Sequence, residues 1–137
     1  MNYTLKLSVG RQGLYDITHK VVECVQSSAL DEGLVTLFVR HTSASLLIQE
    51  NADPSVQRDL EQWLNRLVTE NDPLYTHTAE GPDDMPAHIK SALTATSLSI
   101  PVQDGAMVLG KWQGIYLWEH RHRRDGREVV VNVLGSC

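Results

Sequence analysis

Polar and apolar residues alternate through YTLKLSV at 3–9, which puts Tyr3, Leu5, Leu7 and Val9 on one side of the chain. A period of two predicts a half-buried strand. After Asp16, a capping residue, the period changes. Ile17, Val21, Cys24 and Val25 recur at i, i+4, i+7 and i+8, as one face of an amphipathic helix requires. Asp31-Glu32-Gly33 ends it. LVTLFVRH at 34–41 is an almost unbroken apolar, β-branched run, which predicts a strand buried on both faces. A break at Thr42–Ser43 separates it from a second strand, ASLLIQE at 44–50.

The strongest helical pattern follows. Asp53 is a good N-cap and Pro54 suits the first turn. Val56, Leu60, Trp63, Leu64 and Leu67 then form a stripe, stopped by Asn71-Asp72-Pro73. Residues 71–83 show no period and predict a long loop, of the kind that in a compact domain is usually functional or disordered. His77, Glu80 and Asp83 lie in it and Asp84 at its end. A third helix is predicted over 85–95, with Met85, Ile89, Ala92 and Leu93 toward the core and His88 at the border of that face, one turn after Asp84. Four strands complete the chain, at 97–102, 106–110, 114–120 and 127–134, with hairpin signals at Asp104-Gly105 and Asp125-Gly126. The expectation is a single α+β domain over 1–137. It has mixed, mostly antiparallel sheets packed as a sandwich or barrel-like core, two to three helices, and a C-terminal antiparallel meander.

Composition narrows the function. The chain has 137 residues, 42% hydrophobic and 21% charged, enough for one core without staples. Its net charge of −5 argues against a general nucleic-acid binder, which needs an excess of Lys and Arg. Two cysteines, Cys24 and Cys137, with no CxxC, fit a reducing compartment. The first residues lack the apolar core of a signal peptide, and no run approaches the ~18 apolar residues of a membrane span. The expectation is a cytoplasmic protein that engages neither membrane nor nucleic acid.

Candidate chemistry is scattered. His41 ends an otherwise apolar strand, where a polar group needs a partner. His77 sits in the long loop, and His88 faces Asp84 across one helical turn. Each has a bland reading: strand-end, loop or cap histidine. Together they suggest a catalytic metal site, since three neutral imidazoles plus an open position is how catalytic zinc is held. On this hypothesis His41, His77 and His88 are the metal ligands. Glu119, an acid continuing the apolar Ile115–Leu117 face, or Asp84 would serve as a further ligand, outer partner or base. The pair His120 and His122 is a rival, with a solvated hairpin end as its plain reading. Arg121, Arg123, Arg124 and Arg127 cluster in an otherwise acidic chain and could hold phosphate, or keep a hairpin tip soluble. Thr42 and Ser43 could contact phosphate through hydroxyls, and Trp112, Gln113 and Gly114 could form a pocket wall. No GxSxG elbow or P-loop is present.

RHTSASL at 40–46, ENADPSV at 50–56, EGPDDMPAHIKSAL at 80–93 and LGKWQGIYLWEHR at 109–121 resemble, in order and over most of the chain, the YjbQ family, often labelled secondary thiamine-phosphate synthase. The resemblance implies an α+β fold assembled as a homotrimer. It implies a polar pocket with a bound divalent metal, zinc before magnesium, around His41, His77 and His88, with Glu119 as the acid. Asn51 and Asp53 fall in the family's Asn-Glu-Asn-x-Asp stretch, from which this chain departs at Gln49; Ala95 and Lys111 are further departures. The implied activity joins a pyrimidine pyrophosphate to a thiazole phosphate. Read together, residues and resemblance predict a metal-dependent enzyme acting on small phosphorylated substrates. Glu119, Asp84 and His88 would be catalytic, and Thr42, Ser43, Asn51, Arg121 and Gln113 would be near the substrate. The alternatives are a metal-dependent hydrolase and a trimeric binding module without turnover.

Overall fold

The computed structural model describes residues 1–122 and 125–137. The described residues form eight strands and three helices. They are β1 (Asn2–Val9), β2 (Gly13–Asp16), α1 (Thr18–Ser28), β3 (Glu32–Val39), β4 (Ala44–Glu50), α2 (Pro54–Leu67), α3 (Asp84–Leu93), β5 (Ser97–Gln103), β6 (Ala106–Met107), β7 (Gln113–Glu119) and β8 (Asp125–Ser136). Among the described residues no helix is long and apolar enough to cross a membrane.

The strands form two antiparallel sheets, in the orders β1-β8-β3-β5-β6 and β2-β7-β4. Their facing sides, with α1, enclose the main core: Val35, Leu37 and Val39 from β3, Val129, Val131 and Val133 from β8, Ile115 and Leu117 from β7, and Val21 and Val25 from α1. The α+β class with antiparallel sheets around one core is therefore as read from the pattern. A smaller cluster of Leu64, Val68 and Trp118 lies on the outer side of the small sheet.

Several expectations are corrected. The predicted C-terminal meander does not form. β7 pairs with β2 and β4, while β8 pairs with β1 and β3, so the chain changes sheet between them. Asp125 and Gly126, read as a hairpin turn, are instead strand residues opposite Val9 and Ser8. The short β2 was not foreseen because four residues carry too little periodicity. β3, expected to be buried on both faces, buries Val35, Leu37 and Val39 on one face and leaves Leu34 and Phe38 exposed on the other. The doubly buried strand is β7, whose second face meets Leu64 of α2 through Trp118.

Helix faces also differ from the pattern. In α2 Leu64 is buried, but Trp63 and Leu67 are exposed. In α3 the expected core face is buried only in part: Ile89 packs on the smaller cluster and Met85 is half-buried, but Ala92 is exposed. Leu93 is exposed, and the buried side carries Asp84, Ala87, Lys90 and Ser91. Hydrogen bonding makes this tolerable, because a buried polar group without a partner is costly. Ser91 donates to the Ala44 carbonyl at 3.3 Å. Lys90 donates to Asn65 Oδ1 at 2.5 Å, and burial draws its ammonium below the usual lysine range against the pull of Glu70, Asp83 and Glu61.

His120, read as part of a solvated hairpin end, is 1% exposed. Strand alternation turns it to the Trp118 side, where the two ring centroids are 5.4 Å apart. Its Nε2 meets Ser45 Oγ at 2.8 Å, and among the described residues its Nδ1 has no partner. Burial first, then the charges of Lys90 and Arg127, push its pKa down to about 3. The folded protein thus holds this ring neutral, while the unfolded chain takes up a proton below its ordinary value of about 6.5. A depressed folded pKa means full stability above pH ~6.5 and progressive loss as pH falls toward 3. His120 should contribute a slope of up to about 1.4 kcal/mol per pH unit in that window. Urea unfolding of the parent and His120→Gln between pH 7 and pH 4 checks this. The variant should show a flatter pH dependence, and parallel curves would contradict the assignment.

Candidate functional site

The two sheet-changing segments lie side by side. One joins β3 to β4 through residues 40–43, and the other leaves β7 at His120. The His120 N–H donates to the Ser43 carbonyl at 3.2 Å, which ties them together. The start of α3 and the loop before it close over this end. Between them opens a cavity of about 540 Å³ whose wall includes His77, Asp84, His88, His41, Thr42 and Ser43.

Asp84 is the centre of the wall. It opens α3 and is 3% exposed. His77 Nε2 is 2.6 Å and His88 Nε2 3.2 Å from its Oδ2, and the two imidazole centroids are 5.2 Å apart at 74°. The i, i+4 spacing brings Asp84 and His88 together, and the loop returns His77 to the same carboxylate oxygen. Ligand atoms from His77, Asp84 and His88 all lie within 4.8 Å of one another. Ligands about 2.0–2.1 Å from one cation stand roughly 3.3 Å apart in a tetrahedral arrangement. Two imidazoles and a carboxylate at this spacing therefore suit a divalent ion after small side-chain shifts.

A second arginine-centred group holds Asp84 in place. Arg121 Nη1 donates to Asp84 Oδ1 at 2.8 Å, its Nε donates to Asp83 Oδ2 at 3.1 Å, and its Nη2 donates to the Glu80 carbonyl at 2.9 Å. The His122 N–H adds a bond to Asp83 at 2.8 Å. Burial alone would raise both carboxyls. For Asp84 the His77 hydrogen bond and the charges of Arg121 and His88 outweigh it, and for Asp83 the Arg121 and His122 bonds do, so both sit below the usual carboxylate range. Gly81 makes the approach feasible. Its φ of +108° is one that side chains rarely adopt, and a Cβ there would lie 3.2 Å from Asp83 Oδ1.

The remaining candidates separate. His41 lines the cavity, but its Nε2 accepts the Glu128 N–H at 2.9 Å. That lone pair is occupied, so the proton rides on Nδ1 and the ring stands as a neighbour of the donor group; Asp84 takes the third place that the pattern gave to His41. Glu119 is fully buried and does not reach the cavity wall. Arg127 Nε donates to its Oε1 at 2.7 Å and Nη2 to its Oε2 at 2.6 Å, while the Arg121 N–H takes Oε2 at 3.1 Å. A carboxylate so engaged is a brace and a poor base. Arg127 Nη2 also donates to Ser43 Oγ at 2.9 Å, fixing that cavity residue. Of the expected arginine cluster, Arg121 and Arg127 are thus committed to carboxylates, and Arg123 and Arg124 lie outside the described residues. Arg40, which also lines the cavity, is half-exposed and pairs with Glu128 at 3.0 Å.

Asn51 and Gln113 are not brought to the cavity. Ala44 faces Glu119 at the cavity end of the small sheet, whereas Glu50 faces Gln113 at the other end. Six residues of strand separate the ends by roughly 20 Å. Asn51 there donates its N–H to the Trp112 carbonyl at 2.9 Å. His122 turns away from His120 and pairs with Glu70 at 2.8 Å. The residue missed by the pattern is Asp83, whose bidentate hold on Arg121 was signalled only by the Asp-Asp doublet at the helix start.

Comparisons with known proteins extend the picture. The model of a family described as UPF0047 protein YjbQ-like matches residues 3–136. The chain is 53% identical over 132 residues to a UPF0047 protein of Synechocystis sp., covering 95% of this chain and 90% of that protein. It is 41% identical over 134 residues to the UPF0047 protein YjbQ of Escherichia coli O157:H7, covering 97% and 96%. Among solved structures it is similar to an uncharacterized conserved protein from Clostridium acetobutylicum, with a TM-score of 0.85, 36% identity and 98% and 99% of the two chains covered. A hypothetical protein from Aeropyrum pernix K1 gives a TM-score of 0.90 at 26% identity, with 99% of each chain covered. None of these four descriptions carries an activity.

The brace is testable by stability. Removing one partner of a buried ion pair leaves the other charge uncompensated, at a cost of about 3–5 kcal/mol. Glu119→Ala should lose that much in urea unfolding. The double change Glu119→Leu with Arg127→Met should recover most of it. A single variant within ~1 kcal/mol of the parent, as exposed pairs behave, would contradict the role.

Proposed function

The chain belongs to the YjbQ-like UPF0047 family, and from that premise we propose that it is a cytoplasmic, metal-dependent enzyme acting on small phosphorylated substrates. The observation that carries the reading is the convergence of His77, Asp84 and His88 in the wall of the 540 Å³ cavity. A divalent cation held there, zinc before magnesium, would supply Lewis acidity toward a phosphoryl or pyrophosphate oxygen. The chain's own residues supply the rest. Arg121 orients Asp84 and keeps it ionised, so that the site retains a negative ligand when the substrate arrives. Thr42 and Ser43 present hydroxyls to phosphate oxygens, and Arg127 locks Ser43 in position. The nearby Arg40 adds positive charge at the rim.

The reaction suggested by family resemblance, coupling of a pyrimidine pyrophosphate with a thiazole phosphate, fits such a site, because its leaving group is a pyrophosphate. A hydrolase that uses Glu119 to activate water fits less well, since both oxygens of that carboxylate are taken. The unit is proposed to be a homotrimer. Leu34 and Leu134 are neighbours in register on the outer face of the large sheet, Phe38 follows on the same face, and all three are exposed. Exposed large apolar side chains on one sheet face, with only Thr36 and Asn132 between them, support a contact surface there.

Elemental analysis of untagged protein should give close to one metal per chain, falling at least tenfold in Asp84→Ala and His88→Ala while the circular dichroism stays that of the parent. Metal-free parent protein prepared without chelators would remove the proposal. With the metal present, product should form from the pyrimidine and thiazole phosphates. Release of inorganic phosphate from single phosphoesters would point to hydrolysis, and saturable binding without product to a binding module. Light scattering should give a mass near three times 15.3 kDa, and Phe38→Lys should shift it toward the monomer; a monomeric parent would refute the trimer.

A further inference from the structure

Lys90 occupies the side of α3 away from His88, because two residues of helix turn a side chain through about 200°. It is 3% exposed. Its ammonium has three N–H donors, and one goes to the neutral Asn65 Oδ1. Among the described residues no carboxylate pairs with it. Glu70, Asp83 and Glu61 are near enough to act through space, yet each is engaged elsewhere: Glu70 with His122, Asp83 with Arg121, and Glu61 with the Leu14 N–H. The three carboxylates therefore act on this buried ammonium only through space, and among the described residues its one direct partner is a neutral amide.

A second cavity, of about 280 Å³, opens beside it, with Gln12, Asn65, Thr69, Glu70 and His122 in its wall. The amides there form a relay. Gln12 Nε2 donates to the His120 carbonyl at 3.1 Å, Asn65 Nδ2 donates to Gln12 Oε1 at 3.3 Å, and Lys90 donates to Asn65. Each amide nitrogen uses one of its two hydrogens in that relay, so the wall offers spare donors beside an ammonium that no carboxylate touches directly among the described residues. We propose that this cavity binds a small monocarboxylate, whose oxygens accept from Lys90 and the two amides. Glu70 in the wall and Asp83 and Glu61 behind it oppose a second negative charge, which selects a carboxylate over a phosphate dianion. The space equals that of about nine waters at ~30 Å³ each, which suits a short-chain acid. The site is separate from the His77–Asp84–His88 cavity and stands or falls without it.

Titration calorimetry of the intact protein with butyrate, inorganic phosphate and butyramide tests the proposal. Butyrate should bind saturably, more tightly than phosphate and far more tightly than the neutral amide. Lys90→Met removes the charge with a chain of similar length. Asn65→Asp, at an exposed position, puts a carboxylate in direct contact with the ammonium. Both should retain a cooperative thermal transition and lose at least tenfold in butyrate affinity, whereas His88→Ala should bind butyrate as the parent does. Absence of saturable binding by butyrate, a preference for phosphate, or unchanged affinity in both Lys90→Met and Asn65→Asp would each overturn it. Loss of binding in His88→Ala with retention in the Lys90 variant would also overturn it, by placing the anion in the other cavity.

Discussion

Arg121 directs its whole guanidinium fork at the start of one helix, and the architecture of the site depends on that contact. A planar group with fixed donors can bridge two adjacent carboxylates and a carbonyl at once, which a lysine cannot do. Because Asp83 and Asp84 are nearly buried, their charges are tolerable only with such a partner. The bridge anchors the loop before α3 to the exit of β7 and leaves Oδ2 of Asp84 facing the two histidines. Without it α3 would have little reason to turn Asp84, Lys90 and Ser91 inward and Leu93 outward.

The same rule applies beneath the site. Where the chain changes sheet, strand pairing stops and polar groups are carried into the interior. Glu119 and Arg127 neutralise each other there, and Arg127 reaches on to Ser43. Ser45 and His120 pair on the opposite side of β7. Buried polar groups placed in complementary sets give this end of the molecule one arrangement of side chains, which a functional cavity needs if its groups are to be held in advance. The two cavities flank α3, which presents His88 to one and Lys90 to the other.

Much of this was readable from the chain. Period-two and period-3.6 patterns located β1, β3, β4, α1, α2 and the C-terminal strands, since each repeats its apolar residues at the period of its backbone. The helical spacing of Asp84 and His88 put both on one side of α3, and loop length marked 71–83 as the segment to watch. Which strands pair was not readable. Val, Ile and Leu runs in β7 and β8 look alike to any partner, so a hairpin across 120–127 was the simplest expectation and the sheet change was hidden. The roles of Glu119 and His41 were misjudged for a related reason. An isolated acid or imidazole in a strand looks equally like a ligand or a brace until its neighbour is known, and those neighbours, Arg127 and the Glu128 N–H, are both delivered by β8.

The class of fold, the helices, most strands and a set of histidines and acids suited to a metal follow from the order of residues alone. These are local properties, set by side-chain period and residue type over short windows. Tertiary structure alone decided that His77 joins His88 on Asp84, that Arg121 and Arg127 serve as carboxylate partners, that Asn51 and Gln113 lie at the far end of the small sheet, and that Lys90 is buried with no carboxylate in direct contact among the described residues. Those outcomes depend on where loops and sheet changes carry the chain, and the free energy of pairing a charge depends on which partner the folded backbone delivers.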